Sequence, residues 1–230
     1  MSNKKIVRGK YVHKKANKAQ IRQQASIQHL FSTPIYITEL DREFTAQELH
    51  FVEKMKTKCV ENEGNITSKD NYVLNHPSLV TLKKEMDLFI EDYFDKIICP
   101  ADKITPYITQ SWLNYTTKNQ HHHKHNHPNS LISGILYMSA DIKYDKVKFY
   151  NEYKNTQYGG VVRPTSKDYN RFNADSWWFA VKTGQIMLFP SSLTHAVEVK
   201  QGDNTRVSLS FNVFIKGTVG VEGHLNTLTL

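Results

Sequence analysis

The sequence predicts a mainly β domain preceded by two helices, arranged as a β-sandwich or jelly roll. Apolar residues recur at helical spacing before Pro106. After Pro106 the pattern changes to about seven short runs rich in β-branched and aromatic residues, with turn residues between them. Helices followed by a series of strands are typical of a sheet covered on one face by helices.

The composition excludes several classes of protein. The chain has 230 residues, of which 39% are hydrophobic and 23% charged, so it can bury a core and is not expected to be disordered. It contains no apolar stretch long enough to span a bilayer, and its start lacks the apolar segment of a secretory signal. Two cysteines, Cys59 and Cys99, are too few for a disulfide framework. These features predict a cytoplasmic protein.

Positive charge is concentrated at the N-terminus. Residues 1–28 contain eight lysines or arginines and no acid, whereas the other 22 basic residues equal the 22 acidic ones. The net charge of +8 therefore resides in this segment. We expect a flexible arm that keeps the protein soluble, or a segment that contacts the phosphates of nucleic acid or another anionic surface. Tyr11 is its one aromatic residue, so no base-stacking platform is expected.

A folded domain is predicted from residue 29 to residue 230. A first strand is expected around Phe31 and residues 35–37, after which Thr45–Glu48 has the pattern of a capping box. The apolar residues expected to face the core from the helix that follows are Leu49, Val52, Met55 and Cys59. A second helix is predicted from His76 to Ile98, with Pro100 as its stop. Residues 29–105 would thus support a β core at 106–216.

The predicted strands of this core are short and regularly separated. They cover residues 107–115, 131–138, 147–150, 177–181, 185–189, 196–200 and 206–215. Turn signals between them occur at Pro128–Asn129, Gly159–Gly160, Thr183–Gly184 and 201–204. The polar segment 151–176 is expected to be a loop that shapes a substrate pocket, although its sequence does not indicate which substrate.

The most unusual local feature is a histidine-rich segment, His121–His127. The histidines at 121, 123, 125 and 127 alternate, so in an extended segment all four imidazoles would face the same side. Two imidazoles at positions i and i+2 of a strand can bind one Fe, Zn, Cu or Ni ion. The alternative is a solvated polar loop with incidental metal affinity.

Two further candidates lie downstream. His195 on its own is more simply interpreted as a packed or surface residue. Arg206 and Ser208 share one face of an apolar strand, where a buried guanidinium needs an anion, and a salt bridge to a core acid is the ordinary explanation. A histidine pair, a distant histidine and then an arginine nevertheless follow the order in which non-haem Fe(II) dioxygenases present their site.

The chain resembles the 2-oxoglutarate/Fe(II) oxygenase superfamily, and within it a little-characterised branch found in bacteria and phages. The segments that carry the resemblance, in the expected order, are Leu30–Ile35, Trp112–Asn114, His125–Tyr137, Gly184–His195 and Arg206–Asn212. The resemblance implies a double-stranded β-helix (jelly-roll, cupin-like) fold. It also implies a hydroxylase that uses Fe(II), 2-oxoglutarate and O2 and releases succinate and CO2, located in the host cytoplasm if a phage encodes it.

The resemblance further implies that His125, His127 and His195 bind the iron. The superfamily usually has Asp at the position of His127, so an imidazole there makes the site more positive by one charge and removes an oxygen donor. Three arrangements are compatible with this departure: a three-histidine site, a two-ligand site with water in the gap, or a shifted register that uses His121 or His123. The three-histidine site is the prediction.

Four other residues are implied as contacts of the co-substrate. Arg206 and Ser208 would bind the C5 carboxylate of 2-oxoglutarate. Tyr137 matches a tyrosine that contacts the co-substrate in prolyl-hydroxylase-like members, and Asn114 is placed for an inward polar contact. An ordinary core role is the alternative for both.

Two rival hypotheses concern the function. The first is a non-catalytic, metal-binding jelly-roll module that residues 1–28 dock to an anionic assembly or nucleic acid. The second is an oxygenase that modifies nucleic acid, with the same segment providing non-specific affinity. If neither rival hypothesis holds, the expected substrate is a small molecule or a protein. Trp177, Trp178 and Phe179 are candidates for lining its pocket, with packing in the β core as the alternative.

Overall fold

The computed structural model describes residues 26, 28, 30–152 and 165–230. The predicted basic segment 1–28, apart from Ser26 and Gln28, and the predicted turn at Gly159–Gly160 lie outside the described residues. The chain divides into two compact units, Met1–Thr33 and Pro34–Leu230, and the described helices and strands belong to the second unit.

The second unit is built mainly from antiparallel strands. In chain order these are β1 (Tyr36–Glu39), β2 (Cys59–Asn62), β3 (Asn65–Ser68), β4 (Ile104–Thr116), β5 (His122–His125), β6 (Ile132–Ser139), β7 (Lys146–Tyr150), β8 (Ser176–Ala180), β9 (Gln185–Pro190), β10 (His195–Val197), β11 (Arg206–Val219) and β12 (Leu228–Thr229). A large sheet has the order β1-β9-β6-β11-β4-β3-β2, with β12 paired to β11, and a small sheet has the order β5-β10-β7-β8. The predicted class, a mainly β jelly roll preceded by helices, is confirmed.

The helices precede this β core and cover one face of the large sheet. They are α1 (Ala46–Lys56) and α2 (Val80–Tyr93), the latter preceded by 3-10 turns at Val73–Asn75 and Pro77–Leu79 and extended by a π-helical turn at Phe94–Ile98. The predicted capping box is present at α1, where the Glu48 amide donates to Thr45 Oγ1 and the Thr45 amide donates to the Glu48 carboxylate. The helix predicted over residues 76–98 is therefore correct in extent but is not one regular α-helix.

Side chains alternate between two separate cores along the strands of the large sheet. On β6, Leu136 and Met138 pack in the cluster that includes the helices, whereas Ile135 and Tyr137 pack with residues of the small sheet. Such alternation is expected of a strand that is buried on both faces. The space between the two sheets therefore receives every second residue of β6, and this is where the candidate site lies.

Several local predictions are wrong. Phe31 is fully exposed and lies before β1, Leu49 is 47% exposed on α1, and Phe51 is buried in its place. Cys59 begins β2 because α1 ends at Lys56 and the chain turns back into the β2–β3 hairpin, which the helical pattern had hidden. The strand predicted over residues 196–200 covers only His195–Val197. Among the described residues, no helix is long and apolar enough to cross a membrane.

Candidate metal centre

Three histidines from the small sheet and the turn beside it converge on one point. His195 on β10 is directly paired with His125 on the neighbouring β5, and His127 follows β5, where its backbone amide donates to the Ser191 carbonyl at 3.0 Å. One ring nitrogen from each of the three lies within 4.8 Å of the others. The ring centroids are 4.4 Å apart for His125 and His195, and 5.2 Å apart for His127 and His195. The three histidines can therefore bind one metal ion together, all from the same side of the ion.

Hydrogen bonds fix which nitrogen two of these histidines present. Nδ1 of His125 lies 2.8 Å from the His123 carbonyl oxygen, and Nδ1 of His195 lies 3.1 Å from the Leu193 carbonyl oxygen. A carbonyl oxygen only accepts, so each Nδ1 carries the proton and each Nε2 keeps a lone pair. Metal-binding histidines are commonly oriented in this way, with one nitrogen on the metal and the other donating to a carbonyl.

The three imidazoles are neutral at physiological pH. Burial lowers the pKa of His195 to about 3, with a further decrease from the nearby His125. Burial likewise lowers the pKa of His127 to about 4, and it lowers the pKa of His125. Because a metal binds the neutral imidazole, no proton has to be displaced from these rings near pH 7.

The predicted alternation of four imidazoles on one face is wrong. His125 pairs with His195 and His122 pairs with Val197, so four residues of β5 (122–125) oppose three of β10 (195–197), which is a β-bulge. The bulge brings the ring of His122, rather than that of His121, over His125, with 4.7 Å between the stacked rings. His121 is exposed and lies beside Gly64. His122, His123 and His125 form a second group whose ring nitrogens lie within 4.8 Å of one another.

Arg206 lies at the start of β11 with its guanidinium buried and incompletely paired. The residue is 3% exposed, and its Nε and Nη1 have no hydrogen-bond partner. No carboxylate in the described ranges forms an ion pair with it. The salt bridge to a core acid that the sequence also allowed is therefore not found there. Buried polar groups are normally satisfied, so two unpaired donors on one cation indicate a site for an anion.

Three more polar side chains form a row across the large sheet beside Arg206. Ser208 on β11 is paired with Tyr137 on β6 and with Asn114 on β4. The Tyr137 hydroxyl is fully buried without a partner, and burial raises its pKa to about 12, so it remains a donor. Asn114 donates to Ser210 at 3.2 Å, but its Oδ1 has no partner. The unpaired atoms of Arg206 and Tyr137 fit a carboxylate.

A small cavity between the sheets connects these groups with the histidines. It measures about 20 Å³, room for about one water molecule, and its lining includes His122, His125, His195, Arg206 and Ser208. An open cleft of about 640 Å³ shares His122, His125 and His127 with this cavity. His122, His125 and His127 therefore lie between the small cavity and the open cleft.

The two tryptophans proposed for the pocket do not line it. Trp177 and Trp178 on β8 are 39% and 52% exposed, and the Lys146 ammonium lies 4.2 Å from the Trp178 ring centroid. Phe179 packs against the core between the sheets. Neither tryptophan is among the described residues that line the cavity or the cleft.

Comparison with known proteins finds a family match over part of the chain. Residues 110–212 match the family model described as "Putative 2OG-Fe(II) oxygenase", and this range contains every site residue predicted from the sequence. Over this range the chain is similar to the 2-oxoglutarate/Fe(II) oxygenases. Fe(II), 2-oxoglutarate and O2 are the cofactor and co-substrates that the name of this family indicates. No curated protein matches the chain.

Solved structures show the same fold at low sequence identity. The epimerase SnoN of nogalamycin biosynthesis, described as non-heme and alpha-ketoglutarate-dependent, is 9% identical with a TM-score of 0.57 and covers 79% of this chain and 78% of its own. A prolyl hydroxylase from Trichoplax adhaerens is 11% identical with a TM-score of 0.53, covering 78% and 83%. HygX from Streptomyces hygroscopicus, crystallised with nickel and 2-oxoglutarate, is 11% identical with a TM-score of 0.51, covering 79% and 82%. At this identity the three structures show only that this chain has the same jelly-roll fold. Its assignment to a bacterial and phage branch stays a prediction.

His122 is the site residue that sequence reasoning missed. Period-two alternation placed it on the opposite face from His125, because a bulge depends on the partner strand and leaves no signal in the strand's own sequence. Its membership of the histidine-rich segment was the only available indication.

Proposed function

We propose that the protein is a hydroxylase in which His125, His127 and His195 bind Fe(II) and the oxidation of 2-oxoglutarate releases succinate and CO2. The observation that carries this proposal is the convergence of three neutral imidazoles beside a buried arginine with two unpaired donors. Fe(II), 2-oxoglutarate and O2 supply the oxidising chemistry, and the protein supplies ligands, orientation and a site sheltered from water.

Arg206 is proposed to hold the distal carboxylate of 2-oxoglutarate. Its Nε and Nη1 both lack a partner, and a buried guanidinium can donate charge-assisted hydrogen bonds to a carboxylate. The Ser208 hydroxyl, two residues along the same strand, and the Tyr137 hydroxyl on the neighbouring strand are further donors. Asn114 Oδ1 is an unpaired acceptor in the same row. We propose that it accepts a hydrogen bond from an ordered water beside the co-substrate.

His127 in place of the usual carboxylate changes the charge of the centre. Three neutral ligands leave both positive charges of Fe(II) uncompensated by the protein, whereas a carboxylate would cancel one. The more positive centre attracts dianionic 2-oxoglutarate more strongly. It also replaces a hard oxygen donor with a nitrogen that suits Ni, Cu and Zn as well as iron, so these ions are expected to compete for the site.

The open cleft is the proposed substrate site, because two of the proposed iron ligands, His125 and His127, line it. Its described lining consists of uncharged residues, with amides and hydroxyls on the walls: Asn62, Thr67, Asn71, Thr109, Gln110 and Asn129. Amides and hydroxyls both donate and accept hydrogen bonds, and Trp112 adds an aromatic face. We therefore infer a neutral substrate rich in hydroxyl or amide groups, which both small molecules and peptides can provide.

Anaerobic reconstitution tests the proposed activity. Addition of Fe(II) and 2-oxoglutarate to the purified protein should produce a weak visible charge-transfer band, and admission of O2 should then yield succinate. Arg206→Ala is the matched control, since it retains the proposed iron ligands and removes the carboxylate partner. A wild-type protein that shows neither the band nor succinate would refute the proposal.

Contact between residues 1–28 and nucleic acid stays a prediction, as does the cytoplasmic location. No comparison supports the non-catalytic alternative. For nucleic acid, deletion of residues 1–28 should abolish a salt-dependent shift of DNA or RNA in a native gel, because phosphate contacts release counterions. A shift that survives the deletion unchanged would exclude this role for the segment.

A further inference from the structure

His122 occupies a position in the site that the proposed ligand set does not use. Its ring lines the cavity that contains Arg206 and Ser208, and it stacks on the proposed ligand His125 at 4.7 Å with 20° between the ring planes. The cavity measures about 20 Å³, room for about one water molecule, so its walls must move apart to admit a co-substrate, which would then contact the side chains that form them. His122 is one of those walls at the histidine end of the cavity.

The β2–β3 hairpin fixes the tautomer of His122. Asn62 Nδ2 lies 3.3 Å from His122 Nε2 and 3.0 Å from Asn65 Oδ1. The amide nitrogen only donates, so His122 Nε2 must accept, and the ring proton is on Nδ1. Asn65 in turn donates from Nδ2 to Thr116 Oγ1 at 3.5 Å, which fixes the orientation of the amides. His122 is thereby held as a neutral ring with one N–H donor on the side away from Asn62.

The donors in and beside the cavity match a ligand with two carboxylates. Arg206, Ser208 and Tyr137 supply donors near the start of β11, which can satisfy one carboxylate. Among the described residues that line the cavity, His122 adds a donor next to His125. A carboxylate that loses its water on entering an enclosed site needs such hydrogen bonds to compensate.

We propose that His122 binds 2-oxoglutarate directly, with its Nδ1–H donating to the carboxylate on the metal side. This inference rests on the proposed function, because it requires that 2-oxoglutarate bind between the histidines and Arg206. The chief competing role is metal ligation within the group of His122, His123 and His125. The two roles differ in what a substitution does to metal content.

The test measures 2-oxoglutarate affinity by calorimetry on nickel-loaded protein, together with nickel content. His122→Phe keeps a ring but removes both nitrogens, and we expect its dissociation constant to rise about tenfold or more, with nickel content unchanged. His122→Asn keeps an amide donor near the position of Nδ1, and we expect it to remain within about threefold of wild type. His121→Phe is the control, because this exposed ring lies outside the described cavity lining, and it should bind 2-oxoglutarate as wild type does.

A second variant leaves His122 itself in place. Asn62→Ala removes the donor that holds the tautomer, and we expect weaker 2-oxoglutarate binding with a smaller effect than His122→Phe. An unchanged affinity in both His122→Phe and Asn62→Ala would overturn the inference and leave the proposed function intact. Loss of nickel from His122→Phe would make His122 a ligand and would also overturn it. Failure of nickel-loaded wild type to bind 2-oxoglutarate would refute the proposed function and this inference together.

Discussion

Replacement of Arg206 by methionine should stabilise the metal-free protein while destroying its affinity for 2-oxoglutarate. The guanidinium is buried with two unpaired N–H donors. Each unpaired buried donor costs about 1 to 3 kcal/mol, so an apolar side chain of similar length should raise the free energy of unfolding by about 2 kcal/mol. For a protein of this size that corresponds to an increase in Tm of about 4 to 8 °C.

The same substitution removes two charge-assisted hydrogen bonds to the co-substrate. At about 1.5 to 3 kcal/mol each, their loss should weaken 2-oxoglutarate binding by a factor of about 10² to 10⁴. Thermal unfolding of the metal-free protein and calorimetry of the nickel-loaded protein measure the two effects separately. Nickel with 2-oxoglutarate should raise the Tm of wild type further than nickel alone, and the variant should lose that additional increase.

Arg42 is the matched control for a structural arginine. It forms ion pairs with Glu48 at 2.7 Å and with Glu85 at 2.6 Å, and Glu48 is buried. Arg42→Met should therefore lower the Tm, since it leaves a buried carboxylate without its partner. If Arg206→Met also lowered the Tm by several degrees, Arg206 would be a structural residue and the reasoning from its unpaired donors would be wrong.

Three further predictions concern the histidines. His195→Ala should abolish iron binding measured by metal analysis after desalting, and retained iron would show that the ligand set is wrong. His127→Asp should keep iron and succinate formation, because Asp supplies the usual oxygen donor, whereas complete loss of iron would indicate a different register. The metal-free protein should lose stability as pH falls from about 6.5 towards 4, because the unfolded chain binds protons that His127 and His195, with pKa values of about 4 and about 3, do not take up when folded. Urea unfolding at several pH values measures this slope, and His195→Phe should make it smaller.

The strands of the β core could be predicted from the sequence because their successive residues pack alternately into the two cores. Residues 206–215 and 185–189 follow the pattern that the two cores impose, and both strands were predicted nearly in full. The β2–β3 hairpin was missed because Cys59, at its start, continues the apolar spacing of α1, although Asn62, Gly64 and Asn65 are typical turn residues. Helix and strand were therefore hardest to distinguish where the same apolar residues fit the spacing of both.

The candidate site was predictable in its order along the chain but not in its details. Residues at 125, 127, 195 and 206 were singled out by motif order, and the structure brings their side chains around one cavity. The position of His122 depends on how β5 pairs with β10, which is a property of two strands. Likewise, the absence of an acid beside Arg206 among the described residues could be seen only after the strands had been placed.

A crystal of the protein grown with nickel and 2-oxoglutarate, measured at the nickel absorption edge, tests the central claim most directly. The account predicts one anomalous peak about 2 Å from Nε2 of His125, Nε2 of His195 and a ring nitrogen of His127, with a 2-oxoglutarate carboxylate on Arg206. A peak among His122, His123 and His125 instead, or nickel at the three histidines with 2-oxoglutarate bound away from Arg206, would contradict it.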